Sequence, residues 1–234
     1  MSCHENISRQ LKLVKKFDSS EPDFSHKVSF VFAREYIENK VVLNIGCWTG
    51  GFEKLLKGVN CRFVGVDINA EVLKIAKKAN PQFDYVESVV QKLPFADGFF
   101  DTVMMFAVLE HLPINHEVKA FKEVARVLKK GGTFILTTPF YHWQSNILDV
   151  AYWMVGHRHY KIQDIKEMLN EAGFVMEKAE ARGGLLGNLS LIPFYLIKYL
   201  FHLNLYKSRF FSRLLEKEYY KKGNKDIFLI GKKI

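Results

Sequence analysis

The chain has 234 residues, 48% hydrophobic and 25% charged, a length that sets one domain as the default and a composition that excludes a disordered or collagen-like chain. Cys3, Cys47 and Cys61 make neither a disulfide framework nor a four-ligand metal site, which points to a reducing compartment, and MSCHENISRQLKLVKKF does not read as a signal peptide. The formal net charge is +9, and residues 201–234, with nine basic and three acidic side chains, hold two-thirds of that excess.

Ile7, Leu11, Val14 and Phe17 keep helical spacing, and Phe24 to Glu38 is a second helix candidate. Residues 1–39 are therefore expected to form a helical cap on the sheet edge or the ligand cleft. Lys40 to Ile45 is a short apolar run ended by Gly46, a buried strand, followed by helical spacing at Phe52, Leu55, Leu56 and Val59. Arg62 to Asp67 is a second strand ending in an acid. Ala70 to Ala79 is a helix stopped by Asn80-Pro81. Phe83 to Val86 and Phe100 to Phe106 are the third and fourth strands. Asn115 is expected to cap a helix to Lys130, ended by Gly131-Gly132, and Thr133 to Thr138 is the fifth strand. Lys161 to Ala172 reads as a helix, Phe174 to Ala181 as a sixth strand and Asp226 to Gly231 as a seventh.

Strand and helix alternating in this way imply an α/β, Rossmann-like doubly wound sheet of seven mostly parallel strands. The whole chain, 1–234, reads as one domain: cap 1–39, core 40–182, a helical insert 183–225, and the last strand 226–234. Ligands of such sheets sit beyond the strands' carboxyl ends, at the switch point. That rule marks Gly46–Gly51, Asp67, Val86–Gln91, Phe106–His111 and Thr138–His142 as the functional rim.

The turn Gly46-Cys47-Trp48-Thr49-Gly50-Gly51 has neither the G-x-G-x-x-G spacing of dinucleotide sites nor the G-x-x-x-x-G-K-[ST] phosphate cradle. It suits a nucleoside ligand without a pyrophosphate. Asp67, seventeen residues after Gly50, is placed to accept both hydroxyls of a ribose.

With Val42–Gly50, Val66-Asp67-Ile68, Leu93-Pro94-Phe95-Ala96-Asp97-Gly98-Phe99-Phe100-Asp101 and Val108-Leu109-Glu110-His111-Leu112, the chain resembles the class I S-adenosylmethionine-dependent methyltransferases of the small-molecule "methyltransferase 11" type. Gly156-His157-Arg158-His159-Tyr160 and Ala172-Gly173-Phe174 resemble that family's segment before the sixth strand. Phe24-Ser25-His26 and Phe30 to Ala33 resemble a helix closing over the cofactor in some members. The likeness spans roughly residues 24–181. It implies S-adenosylmethionine as cofactor, with Gly46, Cys47, Trp48 and Gly50 along its methionine part, Asn44 among the cofactor-binding residues and Asp67 on the ribose. Ile68 would pack on the adenine, Val89 and Val90 flank its exocyclic edge, and Phe106 close the pocket near the sulfonium. The chain departs from the family at three places. Asn44 stands where Asp or Glu is usual, Trp48 where a second glycine is usual, and Val89 where an Asp often accepts from the adenine amino group.

In-line alignment of acceptor and methyl supplies most of the acceleration in such a reaction, and a hydroxyl acceptor gains further from a base with a pKa near neutrality. His111 and His157 are the candidate catalytic groups. Tyr141, His142, His159 and Tyr160 are candidates for substrate binding, and no residue set is expected to bind metal.

In the insert, residues 183–197 form a charge-free apolar stretch, short of the roughly 20 residues of a spanning helix, followed by a basic, aromatic-rich segment. It reads as a lid or dimer contact, or as an interfacial attachment to the inner face of a membrane. The expected function is methylation of a small or lipid-linked acceptor, oxygen favoured, by a cytoplasmic monomer or homodimer. The alternatives are a non-catalytic scaffold or regulatory protein on the same fold and, disfavoured, a nucleic-acid methyltransferase.

Overall fold

A computed structural model describes residues 21–149, 157–184 and 209–234, where the alternating pattern becomes one seven-stranded sheet. In chain order these are α1 (Phe24–Ile37), β1 (Val41–Ile45), a 3-10 turn (Glu53–Leu56), β2 (Arg62–Asp67), α2 (Ala70–Ala79) and β3 (Asp84–Glu87). Then come β4 (Phe100–Phe106), a second 3-10 turn (Leu109–His111), α3 (Glu117–Val127), β5 (Leu128–Pro139) and α4 (Trp143–Leu148). The last elements are α5 (Ile162–Glu171), β6 (Phe174–Arg182), α6 (Arg209–Tyr219) and β7 (Asp226–Lys233).

The strand order is β3-β2-β1-β4-β5-β7-β6, with β7 antiparallel to both neighbours and the remaining ladders parallel. The order reverses between β1 and β4, so their carboxyl ends open a crevice there. Both faces of the sheet are buried, which is why its strands read as unbroken apolar runs. On one face Leu43, Val64, Val103 and Leu136 meet α3 and α5. On the other, Val42, Phe63, Met104 and Ile135 meet α1 and α6. Each such side chain contributes roughly 1.5–3 kcal/mol by leaving water.

Several expectations are corrected. The helical spacing after Gly51 yields a single 3-10 turn, because the backbone turns extended at Lys57 and Gly58 follows at φ +83°. Asn115 sits at φ +66° and caps nothing; α3 begins at Glu117 behind His116, which makes no side-chain cap bond. Nor does Gly131-Gly132 end that helix. Leu128 already pairs with Phe100, and the register jumps to Thr102–Thr133, so residues 129–132 bulge out of β5. A Cβ at Gly132 would stand 2.8 Å from the Lys129 carbonyl oxygen, which is why the bulge needs glycine.

The helical spacing at residues 7–17 and most of the insert lie outside the described residues. The described helix of the insert, α6, buries Leu215 and Tyr219 on α1, with the Tyr219 ring 5.3 Å from that of Phe24. Leu215 and Tyr219 therefore face the protein, while Leu214 is exposed. α1 itself covers the middle of a sheet face, not an edge. Among the described residues no helix is long and apolar enough to cross a membrane, and no group of His, Cys, Asp and Glu is arranged to hold a metal ion.

Candidate functional site

Parallel register brings the ends of β1, β2, β3, β4 and β5 to one edge, so the predicted rim residues share one side of the sheet. The turn after β1 is held from below: Gly46 and Cys47 both donate backbone N–H to the Val66 carbonyl, at 2.7 and 3.0 Å. Gly46 has φ +76°, and a Cβ there would stand 2.3 Å from Cγ2 of Val108, so the exits of β1 and β4 touch at the switch point. Trp48 occupies φ +49°, a conformation costly for a bulky residue, and its half-buried indole takes the family's glycine position.

Asp67 is buried at the end of β2. Its Oδ2 accepts from the Trp48 N–H at 3.1 Å and its Oδ1 from the Asn69 N–H at 3.0 Å. Burial pushes its carboxyl above the ordinary value, against the pull of those N–H groups. A carboxylate has about four acceptor positions, so capacity for two hydroxyls remains. Beside it Ile68 is 52% and Val89 40% exposed, apolar side chains standing in solvent where an aromatic base would cover them. Val90, by contrast, is buried in the core. Phe106, partly buried, packs at 5.3 Å on Phe52, which meets Phe30 of α1 at 6.1 Å, an aromatic row joining β4, the glycine turn and α1. These residues fit S-adenosylmethionine: an acid with spare acceptor capacity, exposed apolar side chains beside it, and a tight glycine turn.

Beyond β4, His111 and His157 meet edge to face with ring centroids 4.5 Å apart. His111 keeps solvent on one side, yet the protein around it, then His157 and Arg158, hold its ring down to about 4. Burial also lowers His157. Neither ring needs a proton at neutral pH. Of the four substrate-binding candidates, Tyr141 is exposed, and His142 is half-buried with its ring stacked on Phe140 at 6.3 Å. The other two are held by packing. The His159 side chain is 1% exposed, its ring nitrogens engaged by Asn146 Oδ1 and Asp149 Oδ2, and the buried Tyr160 donates its hydroxyl toward the Leu109 carbonyl and Glu117.

The structure adds four residues that the motif pattern did not single out. Glu53 is wholly buried beneath the glycine turn and accepts from Asn44 Nδ2 at 3.2 Å. His26 of α1, paired with Asp23, lies over Gly51, where a Cβ would meet its ring at 3.0 Å. Glu110 is buried and bonded by the Thr138 hydroxyl at 3.1 Å. Arg158 ties Glu117 to the carbonyls of Leu109 and Leu112.

Residues 43–136 match the family model described as a methyltransferase domain. A probable S-adenosylmethionine-dependent methyltransferase of Mycolicibacterium smegmatis is 28% identical over 152 residues, 65% of this chain and 58% of that protein. A fatty-acid O-methyltransferase of the same organism is 29% identical over 145 residues, 58% of this chain and 52% of that protein. The chain thus spans little more than half the length of these relatives. Among solved structures, an S-adenosylmethionine-dependent methyltransferase from Mesorhizobium loti superposes with a TM-score of 0.61 over 88% of this chain and 98% of that one, at 14% identity, a likeness of fold. The family match falls on the strands and turns that build the rim, so residues 43–136 form a methyltransferase domain of the class I S-adenosylmethionine-dependent type.

Proposed function

We propose that this chain transfers a methyl group from S-adenosylmethionine to an oxygen of a small or lipid-linked acceptor. The observation that carries the reading is Asp67, a buried carboxylate with spare acceptor capacity beside a glycine turn at the switch point. The cofactor supplies a methyl group already activated on a sulfonium. Asp67 would hold the ribose, Ile68 and Val89 the base, and the turn from Gly46 to Gly50 with Phe106 the methionine side. The protein's remaining task is to align the acceptor and keep water away. His111 and His157, ring against ring beyond β4, are the candidates to take a hydroxyl proton, and His111, held down to about 4, is the weaker base of the two. A relative named for O-methylation of fatty acids supports an oxygen acceptor. The apolar-then-basic sequence of residues 183–225 supports an acceptor met at the inner membrane surface.

Isothermal titration with S-adenosylmethionine and S-adenosylhomocysteine tests the reading. Binding of both is expected, weakened at least tenfold by Asp67→Ala, since hydrogen bonds to a charged group contribute about 1.5–3 kcal/mol. Absence of binding at millimolar concentration would overturn it. Flotation with anionic liposomes, using the full chain and one lacking 183–225, tests the membrane part.

A further inference from the structure

Glu53 stands three residues beyond Gly50, at the start of the 3-10 turn, and no part of it reaches solvent. Asn44 fixes one carboxyl oxygen, Oε1, while the equally buried Oε2 has no hydrogen-bond partner. A buried acceptor left unpaired is a standing cost that a ligand's donor would remove. Burial pushes the carboxyl up to about 7, with its own backbone N–H, Asn44 and His26 pulling it down, so an arriving cation would ionise it readily. The ionisable groups near it are His26 of α1, Cys47 of the turn and Tyr85 of β3.

The methionine part of S-adenosylmethionine ends in an α-ammonium and an α-carboxylate. An ammonium entering a buried site needs a paired anion. Asn44, a neutral amide, stands where the resembling family usually has its acid. The other acids near the turn are spoken for: the capacity left on Asp67 goes to the ribose in the reading above, and Asp23 pairs with His26. Glu53 is left, with a buried carboxyl oxygen that has no hydrogen-bond partner. We propose that Glu53, oriented by Asn44, receives the α-ammonium of the cofactor's methionine part, doing from beyond the turn what a strand-end acid would otherwise do. This assignment rests on the cofactor reading above.

Two ligands separate the ammonium from the rest of the molecule. S-adenosylhomocysteine carries it; 5′-methylthioadenosine keeps the nucleoside thioether and lacks it. By calorimetry, Glu53→Gln is expected to weaken S-adenosylhomocysteine about ten- to hundredfold and leave 5′-methylthioadenosine within about twofold. The swap Asn44→Asp/Glu53→Gln, which returns the carboxylate to the strand end, is expected to recover most of the lost affinity. Far-UV dichroism and thermal melting of both variants confirm that folded protein is compared. Unchanged S-adenosylhomocysteine affinity in Glu53→Gln overturns the assignment. So does an equal loss of both ligands without recovery in the swap, the mark of a packing role. Wild-type protein that binds neither ligand overturns the cofactor reading itself, and this assignment with it.

Discussion

Arg158→Met removes a guanidinium that holds three acceptors from different stretches of chain: Glu117 at the start of α3 and the carbonyls of Leu109 and Leu112. The Arg158 side chain is 22% exposed and that of Glu117 10%. Breaking a fully buried pair costs about 3–5 kcal/mol, because the remaining charge stays buried. Partial exposure of Arg158 and the Tyr160 hydroxyl, 3.3 Å from Glu117 Oε1, reduce that figure. A loss of about 2–3 kcal/mol is expected in urea unfolding, or roughly 4–12 °C in Tm for a chain of this size. Arg158→Lys keeps the charge without the fork and should fall between. Glu117→Gln made with Arg158→Met should cost clearly less than the two singles together. The site reports the same change. His111 is held down to about 4 by burial, then by His157 and Arg158, so its titration by NMR should move upward once Arg158 is neutral. An Arg158→Met protein within about 0.5 kcal/mol of wild type, or costs that simply add with Glu117→Gln, would refute the reasoning.

Gly46→Ala combines a left-handed backbone with a Cβ 2.3 Å from Val108; together they should cost about 2–4 kcal/mol in chemical unfolding, and Val108→Ala should recover only the packing part. Glu110 is raised to about 8 by burial, with Asp226 and Asp149 adding and Thr138 opposing. The unfolded chain releases that proton near 4.5 and the folded one near 8, so stability falls as pH rises between them. Glu110→Gln should flatten this slope and gain most at pH 8 and above; melting curves from pH 5 to 9 with parallel slopes would contradict it. Leu215→Ala should lose about 2–4 kcal/mol, because Leu215 is buried against α1. An unaltered Tm would place α6 outside the cooperative fold.

The legible part of the fold was the part governed by local pattern. β2, α2 and β4 fall at the expected residues because apolar period, an acidic strand end and an Asn-Pro stop act over a few neighbouring positions. The misread elements depended on partners far away in sequence. Gly131-Gly132 looks like a helix stop until Phe100 claims Leu128 for the sheet. The site divides in the same way. Gly46 and Asp67 are legible as a turn and a strand-end acid, since backbone freedom and strand-end position are written locally, while Ile68 came only with the resemblance. His159 and Tyr160 share a short polar stretch with His157, and only packing shows that they face inward. Glu53 was hidden for the opposite reason. It sits beside Lys54 among Phe52, Leu55 and Leu56, an ordinary charge on a short helical stretch, and its meaning comes from Asn44, nine residues earlier, meeting it in space.

The basic tail loses much of its apparent purpose once its side chains are placed. Lys232 donates to the Thr133 hydroxyl at 2.7 Å and lies over the Tyr36 ring, and Lys233 donates to the Leu128 carbonyl at 2.7 Å. Lys225 lies 5.4 Å from the centre of the Tyr219 ring. These three stitch β7 and the end of α6 to the rest of the protein. Arg213, Lys217, Lys221 and Lys222 remain exposed, interspersed with Glu216 and Glu218, and Glu216 faces Lys27 at 3.8 Å. Nucleic-acid affinity grows with the number of basic heads free to neutralise phosphates. Among the described side chains of the tail, four exposed heads interspersed with acids are a weak claim to it.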